Sequence, residues 1–240
     1  MSFSLVYLKI YARSLTNALA AIAKNVWTLA LPMGLMVAFF LLGGLLSGGG
    51  FAGGMLLGLA RSAALSIYLY FAGQLIGRQR TGLSDLKTAI GAYFWSSLNL
   101  FFVLWIIDLL LATALFNNPQ AAALKLAVTM LELLVLNAAP ETMYLKGTRG
   151  GLETIQRSIA FLQENWIEWF VPNGLILAFV YFLGAGLFFT LASFDPFHGA
   201  GVMLLLGALL HVVMVFRGFL FEALDGSTHR QRMYRFKQKT

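Results

Sequence analysis

Three ionisable side chains stand in the middle of long apolar segments, where polar groups are rare. Arg61, Glu132 and His211 each lie ten or eleven residues into such a segment. At about 1.5 Å per helical residue, their depths coincide. Ionisable groups inside a bilayer are costly and commonly mark a functional site. The sequence therefore predicts a polar midplane cluster, with Arg61 and Glu132 within salt-bridge reach directly or through water, and His211 neutral or protonated.

A second polar set, Asp108 and Lys125, is predicted nearer the outer surface. Lys125 and Glu132 are seven residues apart and share one helix face. Two interpretations stay open for both sets. The groups line a polar path for an ion or small solute, or they are ion pairs and interhelical hydrogen bonds that fix packing.

The segments that carry these residues have the length of membrane spans. Hydrophobic residues make up 59% of the chain and charged residues 11%, whereas a soluble domain has about 25% charged residues. About 20 apolar residues in a helix cross a bilayer. Six segments qualify: 26–46, 51–76, 96–116, 121–145, 172–193 and 200–222.

The links between spans predict the orientation. SGGG, NNPQ and FDPFHGAG are turn-type sequences without Lys or Arg, so each joins two spans in a hairpin. The basic residues lie at the opposite ends, and short loops with a positive excess stay cytoplasmic. We therefore expect a multi-pass protein of the plasma (inner) membrane with both termini in the cytoplasm.

An internal repeat divides the chain. A shift of 140 residues matches Asn25 with Asn165 and Pro32 with Pro172, and a shift of 69 adds a weaker middle copy that lacks the proline. The chain is thus predicted to be a single membrane domain, 1–240, with internal units of about 1–80, 81–149 and 150–224 and a basic cytoplasmic tail, 225–240.

Each unit is predicted to begin with an amphipathic helix in the headgroup plane. In the third unit an apolar stripe is formed by Leu152, Ile155, Ile159, Leu162, Trp166 and Phe170. The opposite, polar stripe is formed by Glu153, Arg157, Glu164 and Glu168. The expected fold class is an all-α integral membrane protein: six transmembrane helices in three hairpin units, each preceded by a cytoplasmic-face amphipathic helix.

The C-terminal tail is rich in basic residues interleaved with aromatic ones, and we expect it to face anionic lipid. A solvated tail is the alternative. The chain has a net charge of +7, and most of its basic residues lie at the ends of the predicted spans. This distribution favours lipid headgroups over nucleic acid as a partner. The predicted lipid-facing residues are Arg230, Arg232, Arg235, Lys237 and Lys239.

Motifs of catalysis are missing from the sequence. It contains no Cys, no Walker loop, no HExxH and no GxSxG. We therefore expect neither an enzyme, nor a cofactor, nor a metal site.

The segment SIAFLQENWIEWFVPNG, 158–174, and its echo at 19–34 combine an amphipathic helix, an Asn, a proline and a hairpin. In this the chain resembles a group of six-helix prokaryotic membrane proteins similar to the membrane domain of some glycerophosphoryl diester phosphodiesterases. The resemblance implies a membrane domain of this kind. The phosphodiesterase activity does not carry over, because the chain lacks the catalytic domain.

Two hypotheses of function follow. In the first, the chain is a non-catalytic membrane subunit or scaffold of a transport or envelope assembly, with a membrane-protein partner or further copies of itself. In the second, it is a small-solute or ion permease or channel that uses the polar midplane cluster.

Overall fold

The computed structural model describes residues 3–77, 79–116, 118, 120–191, 196–227, 231–232 and 234, and this part is helical without strands. Short 3₁₀ turns occupy Val26–Ala30 and Leu83–Asp85. The α-helices are α1 (Phe3–Ala23), α2 (Leu31–Leu46), α3 (Gly50–Ile76), α4 (Leu86–Ala92), α5 (Phe94–Ala114), α6 (Ala121–Val135), α7 (Ala139–Lys146), α8 (Gly151–Leu191) and α9 (Pro196–Leu224).

The chain is a membrane protein by the length and composition of its helices. Five segments in the described part are long and apolar enough to cross a bilayer: Val26–Leu46, Gly50–Ile76, Phe94–Ala114, Ala121–Lys146 and Gly201–Leu224. They agree with five of the predicted spans to within two residues at each end. The predicted span 172–193 falls on the end of α8, with its last two residues outside the described ones, and it stays a prediction.

The chain divides into two compact units. We name one of them the terminal unit, and it consists of Met1–Leu41, Phe71–Thr81 and Glu164–Thr240. The central unit consists of Leu42–Tyr70 and Gly82–Gln163. These boundaries cross those of the three predicted repeat units, so the repeat stays a prediction.

In the terminal unit, α1 packs along α9, and large side chains fill the space around them. The ring of Trp169 is fully buried and meets Phe221 edge to face, with 6.1 Å between ring centroids. Trp27 meets Phe71 in the same manner at 5.0 Å. Burying rings of this size supplies much of the apolar burial in the unit.

Three breaks in helical geometry occur where the sequence predicts that a surface helix meets a span. Asn25 has φ −139° and ψ 47°, and Asn165, inside α8, has φ −131° and ψ 23°. Tyr93, between α4 and α5, has φ −126° and ψ 12°. The two asparagines that the 140-residue shift pairs therefore share an unusual backbone conformation.

In the central unit, Ser66 stabilises the break in helical geometry at Tyr93. The Ser66 hydroxyl donates to the Ala89 carbonyl and accepts from the Tyr93 amide, both at 2.8 Å. Ser66 is fully buried. Its two bonds replace those that the interrupted helix cannot make.

Part of the apolar face of each amphipathic helix is exposed. In α1 the exposed fractions of Leu8, Leu15 and Leu19 are 63%, 44% and 50%. In α8, Leu152 and Trp166 of the predicted stripe are similarly exposed, whereas Leu162 is buried. The other members of that stripe are half-buried: Ile155, Ile159 and Phe170. Exposed apolar faces of this kind suit helices that lie on a bilayer.

Candidate functional site

A buried polar network joins both ends of the chain in the terminal unit. The Glu168 carboxylate accepts a hydrogen bond from the Tyr7 hydroxyl at 2.7 Å and pairs with Arg232 Nη2 at 3.3 Å. Tyr11 donates to the Glu168 carbonyl at 3.1 Å. Glu168 and Arg232 are each 4% exposed. Two opposite charges removed from water require such close pairing.

Arg232 also closes the end of α9. Its Nη1 donates to the Leu224 carbonyl at 2.9 Å and to the carbonyl and hydroxyl of Ser227. The last carbonyls of a helix lack intrahelical donors, and a cation near them is favourable. Arg232 therefore fixes both the ion pair and the helix terminus.

The position of Arg232 corrects a prediction. The sequence placed this residue on a lipid-facing tail, whereas the structure buries it against Glu168. Arg230, Arg235, Lys237 and Lys239 lie outside the described residues. Glu168 was likewise predicted on the polar stripe of an amphipathic helix. The break at Asn165 rotates the next turn of α8, so Glu168 faces inward.

The two tyrosines of α1 respond to this environment. Burial, together with the hydrogen bond to Glu168, raises the pKa of Tyr7 from 10.0 to about 12. Burial and the charge of Glu168 raise the pKa of Tyr11 to about 12. Both phenols are therefore neutral donors over the physiological range.

A cavity of about 580 Å³ lies between α1 and α9, beside the network. We name it the α1–α9 cavity. Its apolar lining comes from Ile10, Phe219 and Ala223. The polar lining comes from Lys9, Arg13, Ser14, Asn17, Glu222, Ser227 and Arg232. Among the described residues, Lys9, Arg13 and Glu222 form no ion pair.

The other flank of α1 borders a groove of about 490 Å³ with an almost wholly apolar lining. It is bounded by Leu8 and Leu15 of α1, Pro172 of α8, and Phe216 of α9, among others. One side of α1 is thus polar and basic, and the other is apolar.

Hydrogen bonds of the Asn25 side chain join the first break in helical geometry to the segment that follows α3. Its Nδ2 donates to the carbonyls of Ala21 (3.1 Å) and Gln79 (3.2 Å). Its Oδ1 accepts from the amide and hydroxyl of Thr81 at 2.9 and 3.2 Å. In the central unit, Asn99 Nδ2 donates to the Arg149 carbonyl at 3.2 Å in a bond of the same kind. These bonds explain why asparagine suits the break: one amide supplies both donors and acceptors.

The predicted midplane residues are separately placed. The guanidinium carbon of Arg61 lies 4.3 Å from the centroid of the Phe101 ring, and the side chain is exposed. Glu132 Oε1 is buried without a hydrogen-bond partner among the described residues. Arg61 and Glu132 form no direct ion pair there, so that form of the predicted contact is wrong. Residue spacing determines depth along a helix but not rotation about its axis.

His211 is buried in the terminal unit, where its Nε2 lies 3.1 Å from the Thr28 hydroxyl. That hydroxyl donates its own hydrogen to the Asn25 carbonyl at 2.8 Å. It can therefore only accept from His211, whose Nε2 must carry a proton. The histidine supports the break at Asn25, a role that the sequence did not indicate.

The second polar set also stays apart. Asp108 and Lys125 are exposed in their helices, and neither side chain forms a hydrogen bond or ion pair with a described residue. No group of three or more His, Asp or Glu side chains in the described part could hold a metal ion. Among the described residues, Glu168 and Arg232 of the terminal unit thus pair with each other, whereas Arg61, Asp108 and Lys125 of the central unit form no ion pair.

Sequence reasoning missed the Tyr7–Glu168–Arg232 network. Its members are separated by most of the chain, and Glu168 and Arg232 fitted simpler interpretations as parts of a polar stripe and of a lipid-facing tail. One signal was present. Glu168 adjoins Trp169 and comes three residues after the repeated Asn, where a change of helix face was predictable.

The sequence matches no protein-family model, and no curated protein or solved structure matches the chain. The resemblance to membrane domains of phosphodiesterases stays a prediction.

Proposed function

We propose that the chain is a non-catalytic membrane subunit or scaffold that binds another membrane protein, or further copies of itself, through charged side chains on its spans. An assembly for transport or for the cell envelope is the expected setting.

One observation carries this proposal. Arg61, Asp108 and Lys125 lie on apolar helices long enough to cross a membrane, and all three are exposed on the surface of the chain. None forms an ion pair with a described residue. A single charge at the centre of a bilayer, the depth predicted for Arg61, costs about 2.5–3.5 kcal/mol on insertion-based scales, and the cost is smaller for Asp108 and Lys125 nearer the surface. A partner helix with complementary groups would lower that cost, because the charges would then be paired and hydrogen-bonded.

The topology belongs to the same proposal. We infer six spans, with 172–193 as the fifth, and a plasma (inner) membrane location with both termini cytoplasmic. The support is the absence of Lys and Arg from the SGGG, NNPQ and FDPFHGAG links.

Mild solubilisation of the full chain, followed by affinity purification and native mass spectrometry, tests the assembly. We expect a stoichiometric partner or a defined oligomer. Replacing both Asp108→Asn and Lys125→Gln should release it. The matched control is Glu153→Gln with Arg157→Gln, which removes an exposed surface pair outside the spans (3.0 Å). Recovery of the wild-type chain alone, or equal retention by both double variants, would contradict the proposal.

A permease is the second candidate, and Glu132 is the observation that favours it. A carboxylate oxygen that is buried in an apolar helix without a described partner is costly. An ion or solute that passes this position would supply the missing partner of the carboxylate. In proteoliposomes, Glu132→Gln should then abolish solute flux, whereas flux that does not change on this substitution would exclude the permease.

A further inference from the structure

The α1–α9 cavity contains charges that the network beside it leaves uncompensated. Arg232 is balanced by Glu168 at 3.3 Å. Of the remaining charged groups in the lining, Lys9 and Arg13 are positive and Glu222 is negative. The cavity thus offers a single net positive charge, which matches a singly charged anion.

Two cations in the lining remain available to a ligand. Lys9 and Arg13 are exposed and form no ion pair among the described residues. A bound anion could accept from both side chains together, which favours an oxyanion with several acceptor oxygens.

The location of the cavity restricts the source of that anion. Lys9 and Arg13 are four residues apart and lie on one side of α1. Leu8, Leu15 and Leu19 are exposed on another side, as in a helix that lies at the level of lipid headgroups. The abundant oxyanion at that level is the phosphodiester of a phospholipid.

We propose that the α1–α9 cavity binds the phosphodiester headgroup of one phospholipid that carries a single net negative charge. Lys9 and Arg13 bind the phosphate oxygens, and Ile10, Phe219 and Ala223 contact the glycerol region. The volume of about 580 Å³ is that of a small-molecule site. Glu222 disfavours headgroups with a second negative charge. This site is independent of the proposed assembly, which uses the central unit.

Isothermal titration calorimetry tests the site. The purified full chain in neutral detergent is titrated with dihexanoyl phosphatidylglycerol. We expect Lys9→Gln and Arg13→Gln each to weaken binding about fivefold or more. Lys24→Gln is the matched control, because it removes the same charge just after α1 but outside this cavity. It should weaken binding less than about twofold, because its charge acts only at a distance. Glu222→Gln should strengthen binding.

Two further arms identify the ligand. Deacylated glycerophosphoglycerol should bind much more weakly than the lipid. If the two bind equally well, the phosphodiester site stands but its ligand is soluble, and the lipid assignment is overturned. Equal weakening by Lys9→Gln and Lys24→Gln would show attraction to the general surface charge and would overturn the site. Weaker binding by Glu222→Gln would overturn the preference for a single negative charge. Lys9 and Arg13 are exposed, so thermal unfolding of their variants should match that of the wild type.

Discussion

Glu168 and Arg232 form a buried ion pair, with 3.3 Å between Oε1 and Nη2, across 64 residues of sequence. The pair joins the segment after the break in α8 to the segment after α9. Because Tyr7 donates to the same carboxylate, three separate parts of the chain depend on one side chain.

Removing one partner of this pair should destabilise the protein strongly. Arg232→Met leaves the Glu168 carboxylate buried without its cation, and we expect a loss of about 3–5 kcal/mol in the free energy of unfolding. Adding Glu168→Gln should recover part of that loss. Thermal unfolding in detergent measures both. Arg157→Gln, which breaks an exposed pair at 3.0 Å, should cost less than about 0.5 kcal/mol and serves as the control. Equal losses at the two pairs would contradict the burial argument.

The raised pKa of Tyr7 predicts that the protein loses stability at alkaline pH. The folded-state pKa of Tyr7 is raised above its unfolded value of 10.0, to about 12. The contribution of this group is therefore complete below pH 10 and is lost as the pH rises through about 12. The ultraviolet absorbance of tyrosinate should show delayed ionisation. Tyr7→Phe should reduce the alkaline fall in melting temperature, and an unchanged profile would contradict this prediction.

Asn25→Ala should loosen the link between α3 and α4. The substitution removes part-buried hydrogen bonds to Gln79 and Thr81, so we expect a loss of about 1–3 kcal/mol. Hydrogen exchange at the Thr81 amide should accelerate. Asn25→Asp keeps the acceptor but not the donors, so its effect should be intermediate. If all three proteins exchange at the same rate, the link does not depend on Asn25.

A methyl group at Gly151 should not be tolerated. An ideal Cβ there would lie 2.6 Å from the Asn99 carbonyl oxygen and 3.0 Å from Leu100 Cα, both rigid backbone atoms. We expect Gly151→Ala to destabilise by about 1–3 kcal/mol. Gly174→Ala in the same helix has no atom within 4 Å and is the control, with a small gain expected from helix propensity. Thermal unfolding of the two variants compares them directly.

Reporter fusions test the six-span topology. Fusions at Gly49, Asn118 and His198 should report the outside, and fusions at Thr81, Gly150 and the C-terminus the inside, because the basic residues lie on the latter side. An inverted result at His198 alone would locate the error in the predicted span 172–193.

The spans were the most predictable part of the fold, because length and hydropathy are local properties. The predicted segment 26–46 coincides with Val26–Leu46, and 121–145 with Ala121–Lys146. The match of Asn25 with Asn165 was visible in the sequence, but the break in helical geometry at each of them was not predicted.

The partners of charged residues were not predictable, because they depend on the rotation of each helix about its axis and on the path of the chain after it. Arg61 and Glu132 have equal depth but different surroundings: one lies on the Phe101 ring, and the other has a buried, unpaired oxygen. Arg232 sits in a basic sequence that matches a lipid-binding tail, and only the inward turn of Glu168 gives it a buried partner.

The contact from Tyr7 through Glu168 to Arg232 also constrains the timing of folding during synthesis. Tyr7 leaves the ribosome long before Arg232, because most of the sequence lies between the two residues. At about 5–20 residues per second, roughly 10–45 s pass before the cation exists. Until then α1 has a tyrosine ready to donate but no completed ion pair beside it. Synthesis of Arg232, rather than insertion of the spans before it, is therefore the step that closes the terminal unit, and we expect a chain that is truncated before Arg232 to insert into the membrane without completing it.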